Sequence, residues 1–183
     1  SPPPPRKNRD MAMTSRRAAC LLVPLVLAGC AGAGVVSQVD RAPGSADQIR
    51  AFLAARPVVS VVGAPPDGAG PEAVAAALRA PASEGGAGFA LAAPGTDPRL
   101  AIGFGPASPD ALCAGGGEAG GGASGGALAA TVAWCVDGAA RGSARVTSGA
   151  VAGPSSPGFG DLFASAFSQM ARQRRSGGDG AGR

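Results

Sequence analysis

Few side chains in this sequence are equipped for chemistry. Cysteines stand at 20, 30, 113 and 135, the single tryptophan is Trp134, and there is no histidine and no tyrosine. Without histidine, the Ser-His-Asp and Cys-His arrangements of nucleophilic catalysis are excluded, and so are most zinc sites. Lys7 is the only lysine, which removes Ser-Lys catalysis and the phosphate-binding loop from everything that follows it. Paired carboxylates remain able in principle to cleave glycosidic bonds. Yet Asp67, Glu72, Glu84 and Asp97, like Asp110, Glu118, Asp137 and Asp161, fall mostly in expected turns and helix starts, where an acid has a local structural task. "GFGPAS" at 103–108 lacks the third glycine of a dinucleotide loop, and the glycine tract 115–126 is too flexible to cradle a phosphate. No catalytic residue, metal site or cofactor is expected.

The cysteines are more informative. Cys30 ends an apolar run and is followed by tiny residues in "VLAGCAGAG" at 26–34. Upstream, Arg16 and Arg17 precede the apolar stretch 18–29, and Ala28 and Gly29 lead into the cysteine. This is the three-part layout of a secretory signal. The run is well short of the ~20 residues that span a bilayer as a helix, so a permanent transmembrane segment is not expected.

Leu27, Ala28, Gly29 and Cys30 resemble, residue for residue, the lipobox of bacterial lipoproteins. The resemblance covers this segment alone. It implies a signal peptide over 11–29, a diacylglyceryl group on the Cys30 thiol, cleavage just before Cys30 and acylation (palmitate) of the new amino terminus. Several buried acyl chains at about 0.8 kcal/mol per methylene hold a protein to a bilayer far more firmly than one. In Gram-negative members an Asp after the cysteine retains the protein in the inner membrane. Ala31 stands there, so the resemblance implies the outer membrane, facing the periplasm. The alternative is an ordinary signal peptide cut beside a cysteine. Residues 1–10, "SPPPPRKNRD", precede both candidate initiators, Met11 and Met13, and are expected to be an over-called start or a disordered extension.

The net charge of +4 is carried by this first segment. From Cys30 onward 11 Arg face 11 Asp and Glu, which removes the main electrostatic support for nucleic-acid binding. The remaining cysteines, Cys113 and Cys135, read as a disulfide in an oxidising compartment. A redox pair prefers closer spacing, and a metal wants more ligands than two.

Residues 30–44 are expected to be a tether and 45–172 one α+β domain, with a frayed tail over 173–183. "SADQIRAFLAAR" at 45–56 is helical, with Ser45 and Gln48 in capping-box spacing. "VVSVV" at 58–62 has the all-apolar pattern of a strand buried on both faces. Pro71 opens a helix over 71–80. Strands follow at 88–93 and 99–105, then a short helical turn at 108–114 capped by Ser108, then the glycine-rich loop 115–126. Asp137-Gly138 joins strands 127–136 and 139–147 in a hairpin. With a two-residue turn, Arg141 lies opposite Trp134 and can stack on it. Ser156 and Pro157 open a last helix whose Phe159, Leu162, Phe163, Ala166, Phe167 and Met170 recur at helical spacing.

The expected architecture is a small two-layer domain with a mainly antiparallel sheet of about five strands and helices on one face. Its element order loosely resembles periplasmic domains of outer-membrane accessory lipoproteins. The expected function is a lipid-anchored, non-catalytic accessory or scaffolding protein of the cell envelope, with the membrane and an envelope protein as partners. The alternative is a periplasmic module that binds a glycan, lipid or peptide through Trp134, Arg141 and Arg145, and a carboxylate-dependent hydrolase is the third reading.

Overall fold

A computed structural model describes residues 34–92, 96–116 and 127–172. The elements in chain order are β1 (Val35–Arg41), α1 (Ser45–Ala54), β2 (Val58–Val62), α2 (Pro71–Ala77), β3 (Ala90–Leu91) and β4 (Arg99–Phe104). They continue with α3 (Pro109–Cys113), β5 (Leu128–Val136), β6 (Ala139–Ser148) and α4 (Phe159–Ala171). The six strands form one sheet in the order β1-β6-β5-β4-β2-β3. The pairs β1–β6, β6–β5 and β5–β4 are antiparallel, whereas β2 is parallel to both β4 and β3.

The fold is α+β, as the sequence implies, but the sheet is mixed and has six strands where about five, mainly antiparallel, were expected. The extra strand is β1, which occupies 35–41 of the stretch expected to be a tether. Its alternation is hidden in the sequence by a bulge between Ser37 and Asp40, where Gln38 takes a φ of 50°. Val36 and Val39 therefore both pack against the core although they lie three residues apart.

Alternation along the central strands sorts the sheet into two unlike faces. Leu100, Ile102 and Phe104 of β4, with Val132 and Trp134 of β5 and Ala144 and Val146 of β6, are buried under α1, α2 and α4. α4 supplies a row of phenylalanines: the Phe163 ring lies between Phe159 at 4.8 Å and Phe167 at 6.3 Å, with Phe104 at 6.4 Å. Phe167 in turn meets Phe89 at 5.1 Å. The opposite face carries small residues, among them Ala101, Gly103 and Ala133. That allows α3 to lie close, and a Cβ on Gly103 would sit 2.6 Å from Leu112 Cδ2. Helices are thus not confined to one face, because α3 covers part of the second one.

Two helix starts also differ from expectation. Gly44, with a φ of 76°, is the residue preceding α1, and the Ser45 hydroxyl donates back to Ala42 O at 2.8 Å. Gly158, with a φ of 82°, precedes α4, while Ser156 Oγ accepts from Ala152 N and Gly153 N in the preceding loop. A glycine in the left-handed region redirects the chain where a serine cap would have needed extended backbone. Ser108 does cap α3, accepting from Ala111 N at 3.2 Å, and Pro71 opens α2. Residues 1–33, including the signal segment and Cys30, most of the loop 115–126 (117–126) and the tail 173–183 lie outside the described residues.

Candidate functional site

On the α3 face of the sheet, one guanidinium organises the surroundings. Arg99 is fully buried at the start of β4. Its Nε donates to Ser60 Oγ at 3.1 Å, one terminal nitrogen to Thr96 O at 2.8 Å and Asp97 Oδ1 at 3.1 Å, and the other to Leu112 O at 3.2 Å and Cys113 O at 2.6 Å. Five bonds match the five N–H donors of an arginine, so the buried charge is compensated on every side. Two of its acceptors are the last carbonyls of α3, which a cation suits. Asp97, preceding the cis Asp97–Pro98 peptide, uses its other oxygen to accept from Gly138 N at 2.8 Å. One charge pair therefore ties β2, β4, α3 and the β5–β6 hairpin together. In the sequence, Arg99 is marked only as a charged residue heading an otherwise apolar strand.

The second clamp is covalent. Cys113 and Cys135 form a disulfide across 22 residues, with Cα atoms 5.3 Å apart, and both residues are buried. The bond is as expected from the sequence, and it pins the end of α3 to β5 beside Arg99. Replacing both cysteines by alanine is expected to cost about 3 kcal/mol of stability for a loop of this length. Urea unfolding of the double variant checks this, and a loss below ~1 kcal/mol would mean that Arg99 alone holds α3.

Beyond α3 the same face is open. Toward β1 a hollow of about 510 Å³ is lined by Gln38 and Asp40 of β1, Ser108 and Pro109 at the start of α3, and Thr131 and Arg145 on the sheet. A neighbouring hollow of about 310 Å³ shares Asp40, Pro109 and Ser143 with it and reaches Asp110 and Arg141. The β1 bulge turns Asp40 toward this groove at the edge of the sheet. Among the described residues, Asp40, Arg141 and Arg145 enter no ion pair, and the Thr131 and Ser143 hydroxyls make no side-chain hydrogen bond. Among the described residues the groove is thus a polar strip with unpartnered hydroxyls on its floor and unpaired charges of both signs on its rim. Such a surface suits reversible polar recognition more than covalent chemistry.

The three residues expected to form a binding cleft are not brought together. Trp134 is 2% exposed on the helical face, and its ring lies 4.5 Å from that of Phe52 of α1, tilted by 56°. Its Nε1–H is buried without a partner. The hairpin does have a two-residue turn at Asp137-Gly138, with φ of 54° and 70°. A bulge next to Cys135 then shifts the register, so Trp134 pairs with Gly142 and Arg141 is the extra, exposed residue. Stacking of Arg141 on Trp134 is excluded. Arg141 and Arg145 both line the open groove on the other face.

The acids keep local roles. Asp67 accepts from Ala69 N and Ser155 Oγ, and Asp110 accepts from Ala140 N at 3.4 Å. Glu72 and Asp161 lie in first helical turns and Asp137 in the hairpin turn, while Glu118 is outside the described residues. Among the described residues, no three His, Cys, Asp or Glu side chains are grouped as a metal ion would require, and no helix is long and apolar enough to cross a membrane. No family model, curated protein or solved structure matches this chain.

Proposed function

We propose that the chain is a lipid-anchored protein of the bacterial cell envelope with a non-catalytic accessory or scaffolding role. The observation that carries this reading is Leu27-Ala28-Gly29-Cys30 at the end of a short apolar run preceded by two arginines. In this reading residues 11–29 are removed, Cys30 carries the diacylglyceryl thioether, and Ala31 directs the protein to the periplasmic face of the outer membrane. The Cys113–Cys135 disulfide supports it, since such bonds persist in oxidising compartments.

The test is the intact mass of the protein made from Met11 in its native host, together with its crosslinked partners in the envelope, for wild type and Cys30→Ala. An acylated mass starting at Cys30, lost in the variant, with one dominant crosslinked partner is the expected result. A wild-type mass without acyl groups overturns the reading.

A second reading is a binding module for a glycan, lipid or peptide, and the open groove beside α3 favours it. Its site is Asp40, Ser143 and Arg145, without Trp134. Calorimetric titration with wall fragments is then expected to give heats that Arg145→Ala reduces about tenfold in affinity. Equal affinity in the two proteins would remove the groove from consideration.

A further inference from the structure

We propose that the end of the sheet carrying Val35 is held against the phospholipid bilayer, with the Arg41 end pointing away from it. The inference rests on the lipidation of Cys30 proposed above and concerns which surface the anchor presents to the membrane. Cys30 and Val35, the first residue of β1, are separated by only Ala31, Gly32, Ala33 and Gly34. Fully extended, the five Cα–Cα steps between them span no more than about 18 Å. β6, which lies beside β1, has ten residues, or about 30 Å at strand rise. A connector shorter than the sheet cannot place the opposite end at the lipid surface.

The register identifies what surrounds Val35. Val35 pairs with Thr147, Leu128 with Ser148, Phe104 with Ala130 and Val62 with Gly103, so the chain ends of these strands share one edge of the molecule. The loops that cap this edge are joined: Asp67 N donates to Ala152 O at 3.3 Å and Ser155 Oγ to Asp67 Oδ2 at 3.2 Å. Gly34 lies against Leu162 in the first turn of α4. Residues 34–36, 62–70, 104–107 and 147–158 hold a single charged side chain, Asp67, which accepts from Ala69 N in its own loop and from Ser155 Oγ in the other; Glu72 and Asp161 stand beyond it in the first turns of α2 and α4, and Val35 is 55% exposed. At the other end stand Arg41, Arg56, Asp97, Asp137 and Arg141. A surface of mostly small residues with few charges can approach headgroups while desolvating few ions. It also has no Lys or Arg to attract anionic lipid, so the covalent connector, and not charge, sets the orientation.

The Cys30 sulfur in a thioether and Cys113–Cys135 in a disulfide leave an introduced cysteine as the free thiol. Full-length acylated protein, its mass verified, is labelled with a fluorescent donor at Ala150→Cys near Val35 or at Arg56→Cys at the far end, both exposed positions. Each is added to phosphatidylcholine vesicles containing a headgroup-labelled acceptor lipid. Energy transfer is expected to be several-fold stronger from position 150 than from 56, to be unchanged when phosphatidylglycerol or salt is added, and to become nearly equal when about 20 Gly/Ser residues are inserted after Gly32, giving a coil of roughly 25 Å. Equal transfer without the insertion overturns the inference and leaves the lipidation standing. A difference that survives the insertion, or that depends on anionic lipid, overturns the connector as its cause. A mass without acyl groups overturns the lipidation and this inference together.

Discussion

Replacing Arg99 by methionine is expected to lower the unfolding free energy by about 4 kcal/mol, one of the two largest effects of any single substitution in this protein. Methionine fills much of the same space but leaves Ser60 Oγ, Leu112 O and Cys113 O buried without the donors they now have, whereas solvent can reach Thr96 O. Leaving a buried acceptor unsatisfied costs about 1–3 kcal/mol, more than the bond itself contributed. Lysine is expected to restore little, because an ammonium cannot reach the five acceptors that a planar fork reaches. Asp97→Asn is the contrasting variant. The Asp97 side chain is 27% exposed, and its oxygens face Arg99 and Gly138 N. Solvent can replace much of what it supplies, so a loss of about 1 kcal/mol or less is expected. Chemical denaturation with the disulfide intact measures all three. If Arg99→Met costs no more than Asp97→Asn, the guanidinium is a passenger and the disulfide alone fixes α3.

Phe163→Ala is the second. Phe163 is fully buried and faces Phe159, Phe167 and Phe104. Truncation removes the ring and leaves a cavity that the sheet on one side and α4's own backbone on the other cannot close. A cost of about 4 kcal/mol follows, which for a domain of this size lowers Tm by on the order of 10–15 °C. Phe163→Leu keeps most of the volume and is expected to cost about 1.5 kcal/mol. Phe52→Ala tests the same logic at a half-buried ring that covers Trp134. It should cost less than Phe163→Ala while moving Trp134 emission to the red, which no other core truncation should do. Equal losses at 52 and 163 would mean that burial is not what ranks these positions.

Where pattern and turn chemistry act within a few residues, the structure agrees with the sequence. The period of α4 placed Phe159, Phe163 and Phe167 on one face, and all three are buried. Asp137-Gly138 turns the hairpin because both residues accept positive φ. Cys113 and Cys135 meet because two buried cysteines with no competing ligand have few other ends. Helix starts were harder to place: Gly44 and Gly158 precede α1 and α4 where serine caps had been expected, because a left-handed glycine does the same redirecting with no side-chain signal.

Whatever depends on where a strand slips or which distant group meets a charge needed the tertiary structure. One extra residue at Arg141 puts Gly142 opposite Trp134 and takes the arginine off the tryptophan's face, since a single step in register exchanges the two faces of a strand. A similar bulge at Gln38 hid β1 inside an apparent tether and turned Asp40 toward the groove. Arg99 is an ordinary letter in "RLAIGF", and only the approach of α3, allowed by Gly103, supplies the carbonyls that make its burial tolerable. Local pattern alone was enough for the type of every element except β1, for the disulfide and for the core face of α4. The tertiary structure alone decided which face stays open and which side chains line it, because bulges and long-range acceptors leave no periodic trace in the chain.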